Sequence, residues 1–281
     1  MGAADELVNL IEAFVGDSPD NRHPDGSGPL FDSPLVGFAA ADDPLFQRYR
    51  EIIGPFHRTP REVLAEVFGR QVPASGTVVV WVLPITRETR VSNRGETTFP
   101  SRPWALTRQQ GEGFNSLLRR RVVAHLGDGG HLAAAPLLTP GWRTLTDPRV
   151  GLASTWSERH AAYAAGLGTF SLNDALITPR GIAHRLGSVV TDLVIPPTPR
   201  PHPDRGHHCL FLRRGSCGVC IRRCPVGAIT TEGHDKERCR RHVYGTVVEA
   251  VGQRYGVAEA GCGLCQTAVP CEERIPRDGE G

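Results

Sequence analysis

The sequence predicts an α/β (α+β) protein in two parts: a larger core over residues 1–200 and a smaller cysteine-rich module over residues 201–281. Three observations predict this. Thr77-Val-Val-Val-Trp-Val-Leu-Pro84 and Arg185–Ile195 are short runs rich in β-branched residues, the pattern of strands buried in a core. Segments of helical spacing surround them. Pro196-Pro-Thr-Pro-Arg-Pro-His-Pro203 is stiff, cannot continue a sheet, and separates the core from Cys209–Cys271, which holds all eight cysteines.

Taken in order, Asp5–Val15 places Leu7, Leu10, Ile11 and Phe14 on one helical face. Residues 16–36, rich in Gly, Pro, Asp and Ser, read as a loop, and 37–44 lead into a helix near Leu45–Ile53. Thr59-Pro60-Arg-Glu62 starts a helix to about Phe68, with proline in the first turn and an acid behind it. Residues 88–106 look irregular, and Thr107 caps a long helix to about Leu126 whose Arg119-Arg120-Arg121 reads as a solvated face. Leu132–Leu138 fits a short strand or an apolar turn. Thr155 or Ser157 caps a helix to Ala165, which Gly166 and Gly168 end. As a pattern alone, Gly-Leu-Gly means a helix stop.

With 281 residues and 40% hydrophobic content the chain can bury a large core. A formal charge of +2 is too slight to argue for nucleic acid. No apolar run reaches the roughly 18 residues of a membrane span, and Met1–Glu6 reads as neither leader nor acylation site, so a soluble cytoplasmic protein is expected.

Cys217-Gly-Val-Cys220-Ile-Arg-Arg-Cys224-Pro225 reproduces the last three cysteines and the proline of the bacterial ferredoxin run. Two [4Fe–4S] cubanes with four thiolates each would use every cysteine. In two-cluster ferredoxins the cysteine before the proline serves the cluster opposite its neighbours. Cys209, Cys217, Cys220 and Cys271 are therefore expected at the first cluster, and Cys224, Cys239, Cys262 and Cys265 at the second. His207 or His208 could replace the distant Cys209. Two zinc sites would accept the same C-x₂-C hooks without explaining the Cys-Pro, and disulfides do not suit a reducing compartment. Arg213, Arg214, Arg222, Arg223, Arg238, Arg240 and Arg241 are read as offsetting the cluster charge.

The Ala165-Gly166-Leu167-Gly168 turn, Asn173–Ile177, the strand Gly187-Ser188-Val-Val-Thr191-Asp192-Leu193 and the two-cluster module together resemble the epoxyqueuosine reductase and reductive dehalogenase superfamily over about residues 150–271. The resemblance implies a nitroreductase-like core that holds cobalamin and a ferredoxin-like domain that feeds it electrons. It places Gly166, Leu167, Gly168 and Thr169 beside the corrinoid. It also implies an external electron donor such as ferredoxin or flavodoxin, and a small-molecule or modified-nucleoside substrate.

Epoxyqueuosine reductases carry a proton-donating aspartate ahead of the glycine turn, and gap-free counting puts Leu152 there. Glu158, His160 and Tyr163 are the remaining candidates for the acid. That departure points to a different substrate. Two functions stay open: a corrinoid-dependent reductase, with flavin as a variant cofactor, and a two-cluster electron carrier without substrate chemistry of its own.

Overall fold

The computed structural model describes residues 2–69, 71–202 and 204–280; Met1, Arg70, Pro203, the last residue of the proline stretch, and Gly281 lie outside the described residues. In chain order the core contains α1 (Ala3–Asp17), β1 (Leu35–Ala40), α2 (Pro44–Ile52), α3 (Pro60–Phe68), β2 (Thr77–Pro84), α4 (Arg87–Arg94), α5 (Arg102–Asp128), β3 (Ala133–Ala134), β4 (Thr144–Asp147), β5 (Gly151–Ser154), α6 (Glu158–Ala164), β6 (Thr169–Phe170), β7 (Leu176–Ile177) and β8 (His184–Thr191). The central sheet has the order β1-β2-β8-β3, every pairing antiparallel.

β2 is buried along its whole length because helices cover both faces of this sheet. Val79, Trp81 and Leu83 meet Leu7, Ile11, Phe114 and Leu118 on one side. Val78, Val80 and Val82 meet Phe46, Val63, Leu64, Trp156 and Ala161 on the other. The period-2 alternation of side chains thus reads as one apolar run. Trp81 is fully buried and satisfies its indole by donating to Asn115 Oδ1 at 2.8 Å.

Several boundaries differ from the sequence reading. β1 lies within the segment expected to be loop and helix lead-in. α5 begins at Arg102, capped by Ser101 Oγ accepting from Trp104 N at 3.3 Å, so Thr107 is buried inside the helix and does not cap it. α4 occupies the stretch expected to be irregular. The β4–β5 hairpin was not expected at all. Residues 132–138 combine both alternatives, a two-residue strand followed by a 3₁₀ turn at Pro136–Leu138.

After residue 204 the elements are short: α7 (Leu210–Arg214), α8 (Val219–Arg223), β9 (Ile229–Thr230), β10 (Gly233–His234) and α9 (Lys236–Arg241), which continues through π-helical turns to Gly252. This lobe docks on α4 and α5. Val247, Val251 and Val257 cover Ala105 and Leu106, and Gly263, at φ 69°, lies directly on the Trp104 indole where a side chain would clash. Arg223 ties the lobe down by donating to the carbonyls of Asn93, Glu96, Leu264 and Thr267. Glu272, buried, holds Arg94 through both oxygens at 3.0 Å.

Candidate functional site

The cysteines fall into two groups. Burial, then the charge of Cys209 and Cys217, pushes the Cys220 thiol up to about 11. Burial, then Cys220, Cys209 and Cys217, pushes Cys271 up as well. The second group is separate: burial dominates at Cys262, at about 11, with Cys239 and Cys224 as its neighbours. Cys265 is raised by burial and by Cys262, Cys239, Cys220 and Cys224. The Cys220–Cys265 interaction shows that the groups adjoin.

All eight thiols are free. Among the described residues no three Cys, His, Asp or Glu side chains converge as a single metal ion requires. A cubane takes one iron per thiolate, so its ligands need not converge on one point. The chemistry of each set fits such a cluster. Buried thiols that repel one another resist ionising alone and give up their protons to a cation that displaces them. Donors are already aimed at the sulfurs: Ala228 N–H reaches Cys224 Sγ at 3.1 Å, and the His234 side chain hydrogen-bonds Cys239.

A small apolar cavity of about 30 Å³ is lined by Cys209, Cys217, Cys220 and Cys271 together with Leu172, Phe211 and Val269. His208 is committed elsewhere, its Nδ1 lying 3.0 Å from the Ile177 carbonyl, while His207 stacks on His202. Cys209 is thus the side chain that faces the other three. Asn173 and Ile182 line this cavity and a larger one of about 440 Å³, and so form the partition between them. Asn173 is held by the β6–β7 turn, where its Oδ1 accepts from Ala175 N at 3.1 Å, and its Nδ2 donates to the Cys265 carbonyl at 3.0 Å.

The larger cavity is lined by Cys224, Cys239, Cys262 and Cys265 together with Glu158, Arg119, Arg159, His184 and Arg185. Glu158 stands in the first turn of α6, after Ser157 at its N-cap position. Its Oε2 accepts from Ser188 Oγ at 2.6 Å and its Oε1 from Arg119 Nη2 at 3.2 Å, and the Ser188 hydroxyl is oriented by the Trp156 indole at 3.0 Å. Burial nevertheless raises the Glu158 carboxyl above its ordinary range. A raised carboxyl facing a cavity is an acid able to donate a proton there. His184 donates from Nε2 to the Leu176 carbonyl at 2.8 Å; burial holds it at about 4, neutral, with Nδ1 unpartnered.

The other two acid candidates lie elsewhere. His160 is packed between the Tyr49 and Phe170 rings, its Nδ1 at 2.8 Å from Ser157 Oγ, and burial lowers it to about 3. Tyr163 packs on Phe170 and does not line the cavity. Leu152 lies in β5, paired across the hairpin with Thr146.

Gly166, Leu167, Gly168 and Thr169 are also absent from the cavity lining. Leu167 N donates to Ala162 O at 3.0 Å and Gly166 N to Tyr163 O at 3.1 Å, the reciprocal bonds of a Schellman helix stop. Gly166, at φ 71°, lies against the backbone of Pro199, and Gly168 against that of Ile177. The close approach these glycines permit is between backbones.

Sequence reasoning missed Arg119, Ser188, Arg159, His184, Arg185, Asp174 and His234. Arg119 is a correction: its side chain is 1% exposed, whereas Arg120 and Arg121 face solvent as expected. Of the arginines near the cysteines, Arg213 and Arg214 pair with Asp278, while Arg223 caps carbonyls and its charge also acts on Cys262.

An antiparallel sheet core thus carries a lobe of eight thiols, four of which line a cavity shared with core residues. Over part of its length the chain is similar in sequence to epoxyqueuosine reductases, and its fold is similar to those of epoxyqueuosine reductases and reductive dehalogenases. It is 33% identical over 119 residues to the epoxyqueuosine reductase of Bacillus anthracis, covering 41% of this chain and 29% of that one. The structure of the Bacillus subtilis epoxyqueuosine reductase, with its catalytic aspartate loop swung out of the active site, superposes with a TM-score of 0.52 at 20% identity over 98% of this chain and 66% of that one. A reductive dehalogenase described in terms of B12-dependent dehalogenation gives 0.53 at 17% identity, over 98% and 36%. The structural likenesses show the fold. This chain spans about a third of the length of the curated relatives it matches. No family model matches it.

Proposed function

We propose that the protein is an iron–sulfur oxidoreductase in which the thiols of Cys209, Cys217, Cys220 and Cys271 hold a distal cubane and those of Cys224, Cys239, Cys262 and Cys265 a proximal one. The observation that carries this reading is that all four thiols of the second group share a cavity with the Glu158–Ser188–Arg119 array. Electrons from an external donor enter at the first group, cross the partition at Asn173 and Ile182, and arrive at the cavity. Residues 1–200 form the reacting core and 201–281 the electron-delivering domain.

Cobalamin is the cofactor that the relatives suggest. The cavity is open on one side, so a group larger than the enclosed volume can enter in part, and Ile85, Leu176, Leu186 and Val226 offer apolar contact to a macrocycle. Bound there, a corrinoid would supply a strongly reducing metal centre. Glu158 supplies the proton from its protonated Oε2 or Oε1, in the role that the absent aspartate at Leu152 leaves open. Ser188 and Arg119 hold the carboxyl in place, and His184, fixed by its bond to the Leu176 carbonyl, forms part of the cavity wall. The difference at Leu152 supports a small organic substrate, distinct from modified tRNA, although a modified nucleoside fits the same chemistry.

The test is spectroscopic. Anaerobically reconstituted protein is expected to bind about eight irons, four per cluster, and to shift the visible spectrum of added cobalamin. Cobalamin that stays spectrally free at concentrations well above the protein removes the corrinoid from the reading. Protein that takes up zinc in preference to iron removes the reading as a whole.

A further inference from the structure

Four arginines line the larger cavity: Arg108, Arg119, Arg159 and Arg185. Three have carboxylate partners. Arg108 lies 2.9 Å from Glu259, Arg119 lies 2.8 Å from Glu112 and 3.2 Å from Glu158, and Arg185 lies 3.5 Å from Glu112. Arg159 has no ion pair among the described residues. Its Nη1 donates to the backbone carbonyl of Asp174 at 2.7 Å, and the Asp174 carboxylate is turned to His234 at 3.2 Å and Lys236 at 3.9 Å.

The Arg159 side chain is exposed, and part of the surface it presents lines the cavity. Desolvation lowers its pKa, and the charge of Asp174, which is turned to His234 and Lys236, offsets this only in part. A guanidinium has five N–H donors in a planar fork, and only one has a protein acceptor here. The feature has the form of a half-built bidentate pair.

We propose that Arg159 anchors an oxyanion, a carboxylate or a phosphate ester, on the molecule that occupies this cavity. The body of that molecule meets Ile85, Trp104, Leu176, Leu186 and Val226 and is therefore apolar. Such an oxyanion belongs either to an organic acid substrate or to the nucleotide arm of a corrinoid. The inference rests on the cavity being the ligand site of the proposed oxidoreductase.

Arg159→Gln keeps a side-chain donor for the Asp174 carbonyl and removes the charge. Unchanged iron content and thermal midpoint in this variant show that lobe and fold are intact. On iron-loaded protein, calorimetry with benzoate and benzamide tests the substrate source, and visible titration with cobalamin and with cobinamide, which lacks the phosphate, tests the cofactor source. Loss of a charge-assisted bidentate contact is expected to weaken the anionic probe roughly 10- to 100-fold, with Arg159→Lys recovering part of it.

Weakening confined to benzoate assigns the anchor to the substrate, and weakening of cobalamin without cobinamide assigns it to the cofactor. The proposal is overturned if wild type and Arg159→Gln bind all four probes alike, if the neutral probes suffer equally, or if iron-loaded wild type binds neither anionic probe. Wild type that fails to take up iron at all counts against the proposed function instead, and the iron assay shows this separately.

Discussion

The sheet and the cysteine lobe bury their centres with different chemistry. Around β2 the interior is Val, Leu, Trp and Phe on two faces, each side chain exchanging water for apolar neighbours. In the lobe the elements between Leu210 and Arg241 are at most six residues long, and half-buried cysteines stand among Leu172, Ile177 and Ile229 where a core would continue. The first region is closed by apolar side chains of the chain itself. The second gathers thiols whose burial and mutual repulsion oppose ionisation, so its stability is coupled to whatever cation they bind.

Removing iron should therefore separate the two regions. In hydrogen exchange after chelation, amides of α7, α8 and α9 are expected to lose their protection while β2 and β8 keep theirs; uniform loss would break the comparison. The converse perturbation is Trp81→Ala, which empties the sheet core and should cost about 3–5 kcal/mol in urea unfolding, with the iron content of folded protein unchanged.

Acid gives the next effect. Burial holds His57 at about 4, His160 at about 3 and His184 at about 4, all below the ordinary histidine value of 6.5. The unfolded chain binds protons at these sites first as pH falls, so stability is present above about 6.5 and is lost between there and about 4. Each group contributes on the order of 3 kcal/mol across that window. Chemical denaturation of His160→Asn at stepped pH should show a shallower fall than wild type.

Smaller effects concern the cavity. Glu158→Gln should change stability at neutral pH by less than about 1 kcal/mol, because it removes a carboxylate whose ionisation burial already disfavours. It should nevertheless lower reductive turnover by about 100-fold or more, whereas turnover of the wild type should decline as pH rises through the raised Glu158 value, since only the protonated acid donates. His234→Leu removes a donor to Cys239 and should lower the midpoint potential of the second cluster alone, read by redox titration.

The sequence announced the parts that depend on local pattern. β2 was legible because burial on both faces leaves no alternation. β1 was not, since Leu35-Val-Gly-Phe-Ala-Ala40 earns its strand state from pairing with β2, and nothing nearby marks it. Arg119 was hidden by Arg120 and Arg121, which share its charge and lie on the exposed side of α5. Arg159 reads like any helix-face cation until the fold brings the second cysteine group opposite it. The glycine turn shows the reverse case, a motif whose visible local meaning, a helix stop, is the one the backbone realises.

The central claim is the division of eight thiols into two groups with the second at the cavity. Electron paramagnetic resonance and iron analysis of Cys224→Ala, Cys262→Ala and Cys217→Ala, each reconstituted and reduced anaerobically, test it most directly. The account predicts that the first two variants lose the same signal and about half the iron, while Cys217→Ala loses the other signal. Cys224→Ala and Cys262→Ala affecting different signals would contradict it.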